Sequence, residues 1–204
     1  MTGVTSLSRL REHPEVARIA EKVARHEPTE VSEPGVRRAA VALILRLSPE
    51  TTEPEIFFIQ RAHYETDPWS GQIAFPGGRE EPGDDTLVET AVREIREETG
   101  IDLRRDGEII GPLDDLRPMT VRLPAVIVRP FVALLGDHPE PVLSHEVAAS
   151  FWVPLSDLRD RSAWRDTVVT ARGLELTRLG FHHGEFVVWG MTERILSDFL
   201  ALVT

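Results

Sequence analysis

A glycine-rich segment followed closely by an acidic helix is the feature of this sequence that most restricts its fold. The segment GQIAFPGG spans residues 71–78, and the stretch TLVETAVREIREETGI spans residues 86–101. Thr86 and Glu89 fit a capping box at the beginning of a helix, and Gly100 is a typical helix terminator. The pattern predicts a short apolar strand, a tight loop, and a helix whose carboxylates lie near that loop.

The predicted helix carries one apolar arc and a group of acids at its edge. At about 100° per residue, the arc consists of Leu87, Val88, Ala91, Val92 and Ile95. Glu89 and Arg96 point away from the arc, Glu94 and Glu97 lie beside it, and Glu98 falls inside it. Because burying an unpaired charge is very costly, Glu98 needs a partner.

The spacing of Glu94, Glu97 and Glu98 brings their carboxylates together within one helical turn. Such a cluster is either a solvated charged face or a cation site. Near a buried face, repulsion between two carboxylates at about 4 Å rises to roughly 4 kcal/mol, and a hard divalent cation removes it. The position of Glu98 and the preceding glycine loop favour the cation site.

Composition excludes several classes of function. The chain has 204 residues, enough for one buried domain, and it has no cysteine, which excludes disulfides, zinc–thiolate sites and cysteine nucleophiles. A net charge of −11 argues against a nucleic acid polymer as partner but permits a small anion. His63, His182 and His183 lack paired metal-ligand spacing and are interpreted as turn and loop residues.

Targeting signals are also missing from the sequence pattern. The N-terminus lacks the apolar core of a signal peptide, and no apolar run approaches the ~20 residues that span a bilayer. We therefore expect a cytoplasmic protein that does not bind membranes.

The rest of the chain predicts alternating strands and helices. A helical pattern at 6–26 has Pro14 opening its second part, and a polar linker follows it. Strands are expected at 39–47, 54–62, 107–113, 124–134 and within 173–190. The stretch 151–158 is expected to be a strand that runs into a turn or helix, and residues 191–203 a final helix. We expect a mixed sheet with helices on both faces, divided into a segment 1–35 and a domain 36–204.

The stretch GGREEPGDDTLVETAVREIREETGI resembles the Nudix box, G-x5-E-x7-R-E-U-x-E-E-x-G-U with U aliphatic. Its matching positions are Gly78, Arg93, Glu94, Ile95, Glu97, Glu98, Gly100 and Ile101. Asp84 stands in place of the first glutamate, and eight residues rather than seven separate it from Arg93. The resemblance implies an α/β/α sandwich with a mixed sheet, and metal-dependent hydrolysis of a nucleoside diphosphate linked to another moiety.

The same resemblance implies roles for individual residues. Glu94, Glu97 and Glu98 would hold Mg²⁺ or Mn²⁺ with the carbonyl of Gly78, and Arg93 would orient the acids. Whether Asp84 is also a ligand stays open. One carboxylate would take the proton from the attacking water. Three candidates stay open for that base, namely Glu97, Glu98 and Glu146.

Two further segments resemble coenzyme A pyrophosphatases. In FFIQRAHYETDPWSGQIAFPGG, Arg61, Gly71 and Gln72 take the matching places, whereas AHYETDPW departs from the usual pattern. The stretch VVWGMTERIL at 187–196 resembles their W-G-x-T segment. Hydrolysis of coenzyme A or acyl-CoA to 4′-phosphopantetheine, or its acyl form, and adenosine 3′,5′-bisphosphate is then expected.

In that interpretation Gln72 contacts substrate, Arg61 and Arg79 meet phosphates, and Trp69 stacks on adenine. The alternatives are an ADP-ribose or other nucleoside diphosphate sugar pyrophosphatase and a non-catalytic nucleotide-sensing Nudix module. A small-molecule nucleotide is the expected partner in each case. A homodimer also stays open, because PAVIVRPFVAL fits either a core strand or a dimer edge.

Overall fold

A mixed seven-stranded sheet forms the centre of the computed structural model, which describes residues 6–64, 69–118, 125–136, 140–171 and 174–204. Its strands are β1 (Arg37–Leu47), β2 (Pro54–Arg61), β3 (Ile73–Ala74), β4 (Gly77–Arg79), β5 (Gly107–Pro112), β6 (Val126–Leu135) and β7 (Val147–Pro154). β1 and β6 are parallel, and the other pairs are antiparallel. Because β6 lies between β1 and β5, its apolar sequence belongs to a core strand.

Six helices and a small second sheet complete the described chain. The helices are α1 (Ser6–Glu12), α2 (Pro14–Arg25), α3 (Leu87–Thr99), α4 (Leu103–Asp106), α5 (Leu155–Arg159) and α6 (Met191–Val203). After a single 3₁₀ turn at Arg161–Ala163, the second sheet consists of β8 (Trp164–Ala171), β9 (Leu174–His183) and β10 (Phe186–Trp189). Among the described residues, no helix is long and apolar enough to cross a membrane.

Helices cover both faces of the large sheet, which confirms the predicted α/β/α sandwich. On one face, Ala91 and Ile95 of α3 are fully buried against side chains of β1, β2 and β6. On the other face, Ile19 of α2 and Phe199 of α6 are fully buried in a second apolar cluster. α2 thus packs on the same core as the later elements, and the division of the chain at residue 35 stays a prediction.

The expected single strand in residues 71–78 is two short strands. β3 pairs with β2, whereas β4 pairs with β1. Pro76 lies between them and cannot donate to a strand ladder, but its carbonyl accepts a hydrogen bond from the Ala42 N–H at 3.0 Å. The candidate site lies next to this change of partner, where residues of β1, β3 and β4 line one cavity.

Two smaller expectations were wrong, and one strand was missed. Val88 is 39% exposed, although the helical period places it within the apolar arc of α3. β8 was not predicted, since its residues are largely exposed and give no apolar alternation. His182 and His183 are the last residues of β9, and the turn follows them.

Candidate active site

One cavity of about 890 Å³ is lined by the residues to which the sequence assigns a role in the site. They are Arg61, Trp69, Gln72, Gly78, Arg79, Arg93, Glu94, Glu97, Glu98 and Glu146. The acids come from α3, the glycine from β4, and Glu146 from the turn before β7. The fold therefore brings the predicted residues together, while their individual roles remain predictions.

Two adjacent glycines let the backbone pass between β1 and the acids. Gly77 has a φ of 141°, and a Cβ atom there would lie 2.6 Å from the Cα atom of Val41. At Gly78, a Cβ atom would lie 2.5 Å from each carboxylate oxygen of Glu94. Glycine at 77 is needed because the backbone of β1 lies so close. Glycine at 78 is needed because a side chain there would displace the Glu94 carboxylate.

Glu98 is the buried acid of the site, as its place in the apolar arc predicts. Its side chain is 3% exposed, and Oε2 accepts a hydrogen bond from the Gly77 N–H at 2.9 Å. Burial raises the pKa of Glu98 to about 7, and the charges of Glu94 and Glu146 act in the same direction. The Gly77 bond and the charge of Arg61 lower this pKa in part.

Arg93 connects the acids to the loop before the helix. It donates to Asp84 through two nitrogens, at 2.9 and 2.8 Å, and to the carbonyl of Arg79 at 2.9 Å. It also donates to Glu94 at 3.0 Å and to Glu97 at 3.3 Å. This geometry is what the proposed orienting role requires.

Asp84, at which the chain departs from the usual motif, is held by several hydrogen bonds. Besides Arg93, its carboxylate accepts from the Thr90 hydroxyl at 2.9 Å and from the Glu81 N–H at 3.0 Å. The hydrogen bonds from Arg93 hold the pKa of Asp84 well below its usual value. Asp84 does not line the cavity. Its observed contacts are those of a clamp on Arg93.

We expect Asp84→Asn to lower the free energy of unfolding at pH 7 by about 2–3 kcal/mol, because it leaves the partly buried Arg93 without its bidentate partner. Since the native pKa is depressed, the contribution is complete above 3.8, the carboxyl's ordinary pKa, and is lost as the pH falls below it. Urea denaturation of both proteins between pH 7 and pH 3 measures the difference.

The exposed neighbour Asp85 provides the matched control, since Asp85→Asn should leave stability within about 0.5 kcal/mol. An Asp84→Asn protein as stable as the wild type at pH 7 would show that the clamp contributes nothing.

The oxygen donors near Gly77 and Gly78 fit a hard divalent cation by their chemistry. Glu98 accepts a hydrogen bond from the Gly77 N–H, and the Glu94 carboxylate lies next to Gly78. Within the described ranges, however, no three Asp, Glu or His side chains are arranged as a complete metal site. Glu94 and Glu97 bind Arg93 instead, and the Glu97 side chain is 61% exposed. Binding a cation therefore requires these carboxylates to turn away from the guanidinium.

The cavity is also lined by residues that the sequence did not identify. Tyr64, Ser144 and Met191 line the cavity, together with Thr192 at the beginning of α6. Thr192 donates its hydroxyl to the carbonyl of Ile73 at 2.9 Å and so attaches α6 to β3. The W-G-x-T resemblance marked this segment, but nothing in the sequence indicated that it contacts the cavity.

Comparisons with known proteins identify the family of this chain. The family model described as the NUDIX domain matches residues 36–172. An uncharacterised protein of Schizosaccharomyces pombe is 36% identical over 141 residues. That match covers 60% of this chain and 43% of the yeast protein, so the chain spans less than half of that relative.

A second relative is similar over most of its length. A protein of Photorhabdus laumondii named as an uncharacterised Nudix hydrolase, NudL, is 31% identical over 166 residues, which is 79% of this chain and 82% of the relative. A Nudix hydrolase structure from Alicyclobacillus acidocaldarius superposes with a TM-score of 0.55 at 19% identity, over 83% of this chain and 93% of that one, which supports the fold. The chain belongs to the Nudix hydrolase family.

Proposed function

We propose that this protein hydrolyses the pyrophosphate bond of coenzyme A or acyl-CoA, giving 4′-phosphopantetheine, or its acyl form, and adenosine 3′,5′-bisphosphate. One observation carries the proposal. The two segments that resemble coenzyme A pyrophosphatases, at 57–78 and 187–196, are far apart in sequence, yet both contribute residues to the cavity that holds the acids of α3. Arg61, Trp69 and Gln72 come from the first, and Met191 and Thr192 from the second.

The side chains suit this chemistry. Arg61 and Arg79 provide guanidinium groups for the phosphate oxygens, and a carboxylate of the site accepts the proton of the attacking water. A bound Mg²⁺ or Mn²⁺ would neutralise the diphosphate and lower the pKa of that water. Arg93 donates hydrogen bonds to Glu94 and Glu97, and these two carboxylates would turn from Arg93 to the bound cation.

A substrate panel tests the proposal. Coenzyme A, its 3′-dephospho form, octanoyl-CoA, ADP-ribose, NADH and dinucleoside polyphosphates are incubated with Mg²⁺ or Mn²⁺, and the products are identified by chromatography. We expect kcat/KM for coenzyme A to exceed that for the dephospho form at least about tenfold, as the loss of one charge-assisted phosphate contact implies. The Glu98→Gln protein serves as the inactive control.

Two results would overturn the proposal. Faster turnover of ADP-ribose than of coenzyme A would identify a nucleoside diphosphate sugar pyrophosphatase. Binding of these nucleotides without turnover would identify a sensing module.

A further inference from the structure

We propose that Tyr64 is a positioning residue that holds the turn bearing Glu146 against the acids of α3. The proposal rests on pyrophosphate hydrolysis at this site. Tyr64 is the only tyrosine of the chain and lies in AHYETDPW, the segment that departs from the coenzyme A pyrophosphatase pattern. It lines the cavity together with Ser144, His145 and Glu146.

The hydroxyl of Tyr64 joins two loops that are distant in sequence. It donates a hydrogen bond to the backbone carbonyl of His145 at 2.9 Å, across 81 residues. The backbone N–H of Tyr64 donates to the Ser70 hydroxyl at 2.8 Å, which fixes the backbone from which the side chain extends. The ring therefore spans from the loop after β2 to the residue directly before Glu146.

The turn itself is tied to both sides of the cavity. The Ala62 N–H donates to the carbonyl of Glu146 at 2.8 Å, and the Ser144 N–H donates to the carbonyl of Glu98 at 2.9 Å. The Glu146 N–H donates to the Ser144 hydroxyl at 3.2 Å. The bond from the Tyr64 hydroxyl adds to these contacts, and removing it should loosen the turn without detaching it.

Tyr64 has little role in the core, so removing its hydroxyl should change the position of the turn without destabilising the fold. The residue is 44% exposed, and Tyr64→Phe removes one hydroxyl without leaving a buried cavity. Loss of one hydrogen bond corresponds to roughly a fivefold change in the population of a locally closed state. We therefore expect kcat for coenzyme A to fall about fivefold while KM changes less than twofold.

Two measurements distinguish positioning from a general structural effect. In a Glu146→Gln background, Tyr64→Phe should cause no further loss of kcat, because the residue acts through Glu146. In amide hydrogen exchange read by mass spectrometry, the peptide containing residues 142–147 should exchange several-fold faster in Tyr64→Phe. Ser162→Ala removes a hydroxyl bonded to Asp160, outside the cavity, and should change neither readout.

The outcomes separate this inference from the proposed function. Unchanged exchange of residues 142–147 overturns it, whether or not any pyrophosphate is hydrolysed. Equal losses of kcat in the wild-type and Glu146→Gln backgrounds also overturn it, since Tyr64 would then act independently of Glu146. If the wild type turns over no pyrophosphate, the proposed function fails, and hydrogen exchange alone decides whether Tyr64 holds the turn.

Discussion

Replacing Glu98 with glutamine is expected to lower kcat at least about a hundredfold while the protein stays folded. Glu98 is 3% exposed and lies beside the glycine loop, so its charge is best compensated by a bound cation. Glutamine keeps the shape of the side chain and an oxygen that can accept the Gly77 N–H. The loss of a key charge-stabilising group typically costs this much in kcat. Steady-state kinetics with Mg²⁺, with circular dichroism to confirm the fold, measures the effect.

The same substitution should stabilise the metal-free protein in a defined pH range. Because burial raises the pKa of Glu98 from 4.5 to about 7, the unfolded chain loses this proton before the folded one. The contribution of Glu98 to the free energy of unfolding therefore falls as the pH rises from 4.5 to 7, by on the order of 3 kcal/mol. In chelator, Glu98→Gln should match the wild type near pH 4 and exceed its stability above pH 7.

Glu89→Gln is the matched control on the same helix. The Glu89 carboxylate accepts from the Asp85 N–H at 2.9 Å, outside the cavity, and a glutamine oxygen can do the same. Glu89→Gln should therefore change neither turnover nor the rise in melting temperature on adding Mg²⁺. In Glu98→Gln the rise in melting temperature on adding Mg²⁺ should become smaller. Near-normal turnover and a normal Mg²⁺ response of Glu98→Gln would leave the carboxylate cluster as a charged helix face.

Helix α3 could be predicted from sequence because its determinants are local. The Thr86 hydroxyl accepts the Glu89 N–H at 3.2 Å, and Gly100 ends the helix in the left-handed conformation, as expected. The burial of Glu98 followed from the same helical period. Val88 was placed wrongly because periodicity gives the direction of a side chain but not how far the neighbouring elements extend over it.

The contacts that complete the site join residues distant in sequence, and no local pattern indicates them. Tyr64 and His145 meet because β2 and β7 are paired, and Thr192 bonds Ile73 because the beginning of α6 lies next to β3. Whether Asp84 is a ligand stayed open because the motif gives only its position. Its role as an acceptor for Arg93 depends on how the loop after β4 folds back over α3.

Alanine should have different effects at the two adjacent glycines of the loop: it should lower stability at Gly77 and activity at Gly78. Gly77→Ala is expected to destabilise the protein by at least about 3 kcal/mol, because its Cβ atom would meet the backbone of Val41 at 2.6 Å and its φ of 141° is strained for alanine. Backbone atoms of a central strand cannot move aside. Chemical denaturation measures this loss of stability. A Gly77→Ala protein as stable as the wild type would contradict the close packing of Gly77 against Val41.

Gly78→Ala should instead fold but lose most of its activity. Its Cβ atom would lie 2.5 Å from both carboxylate oxygens of Glu94, and a carboxylate at the end of a flexible side chain can turn away at little cost. Stability should change by about 1 kcal/mol or less, whereas displacement of a reacting group by ~1 Å can cost about a hundredfold in kcat. Gly83→Ala is the control: its Cβ atom would have no neighbour within 4 Å, so both stability and turnover should be preserved. If Gly78→Ala turned over substrate at the wild-type rate, the position of the Glu94 carboxylate could not matter for the reaction, and its assignment to the metal site would be wrong.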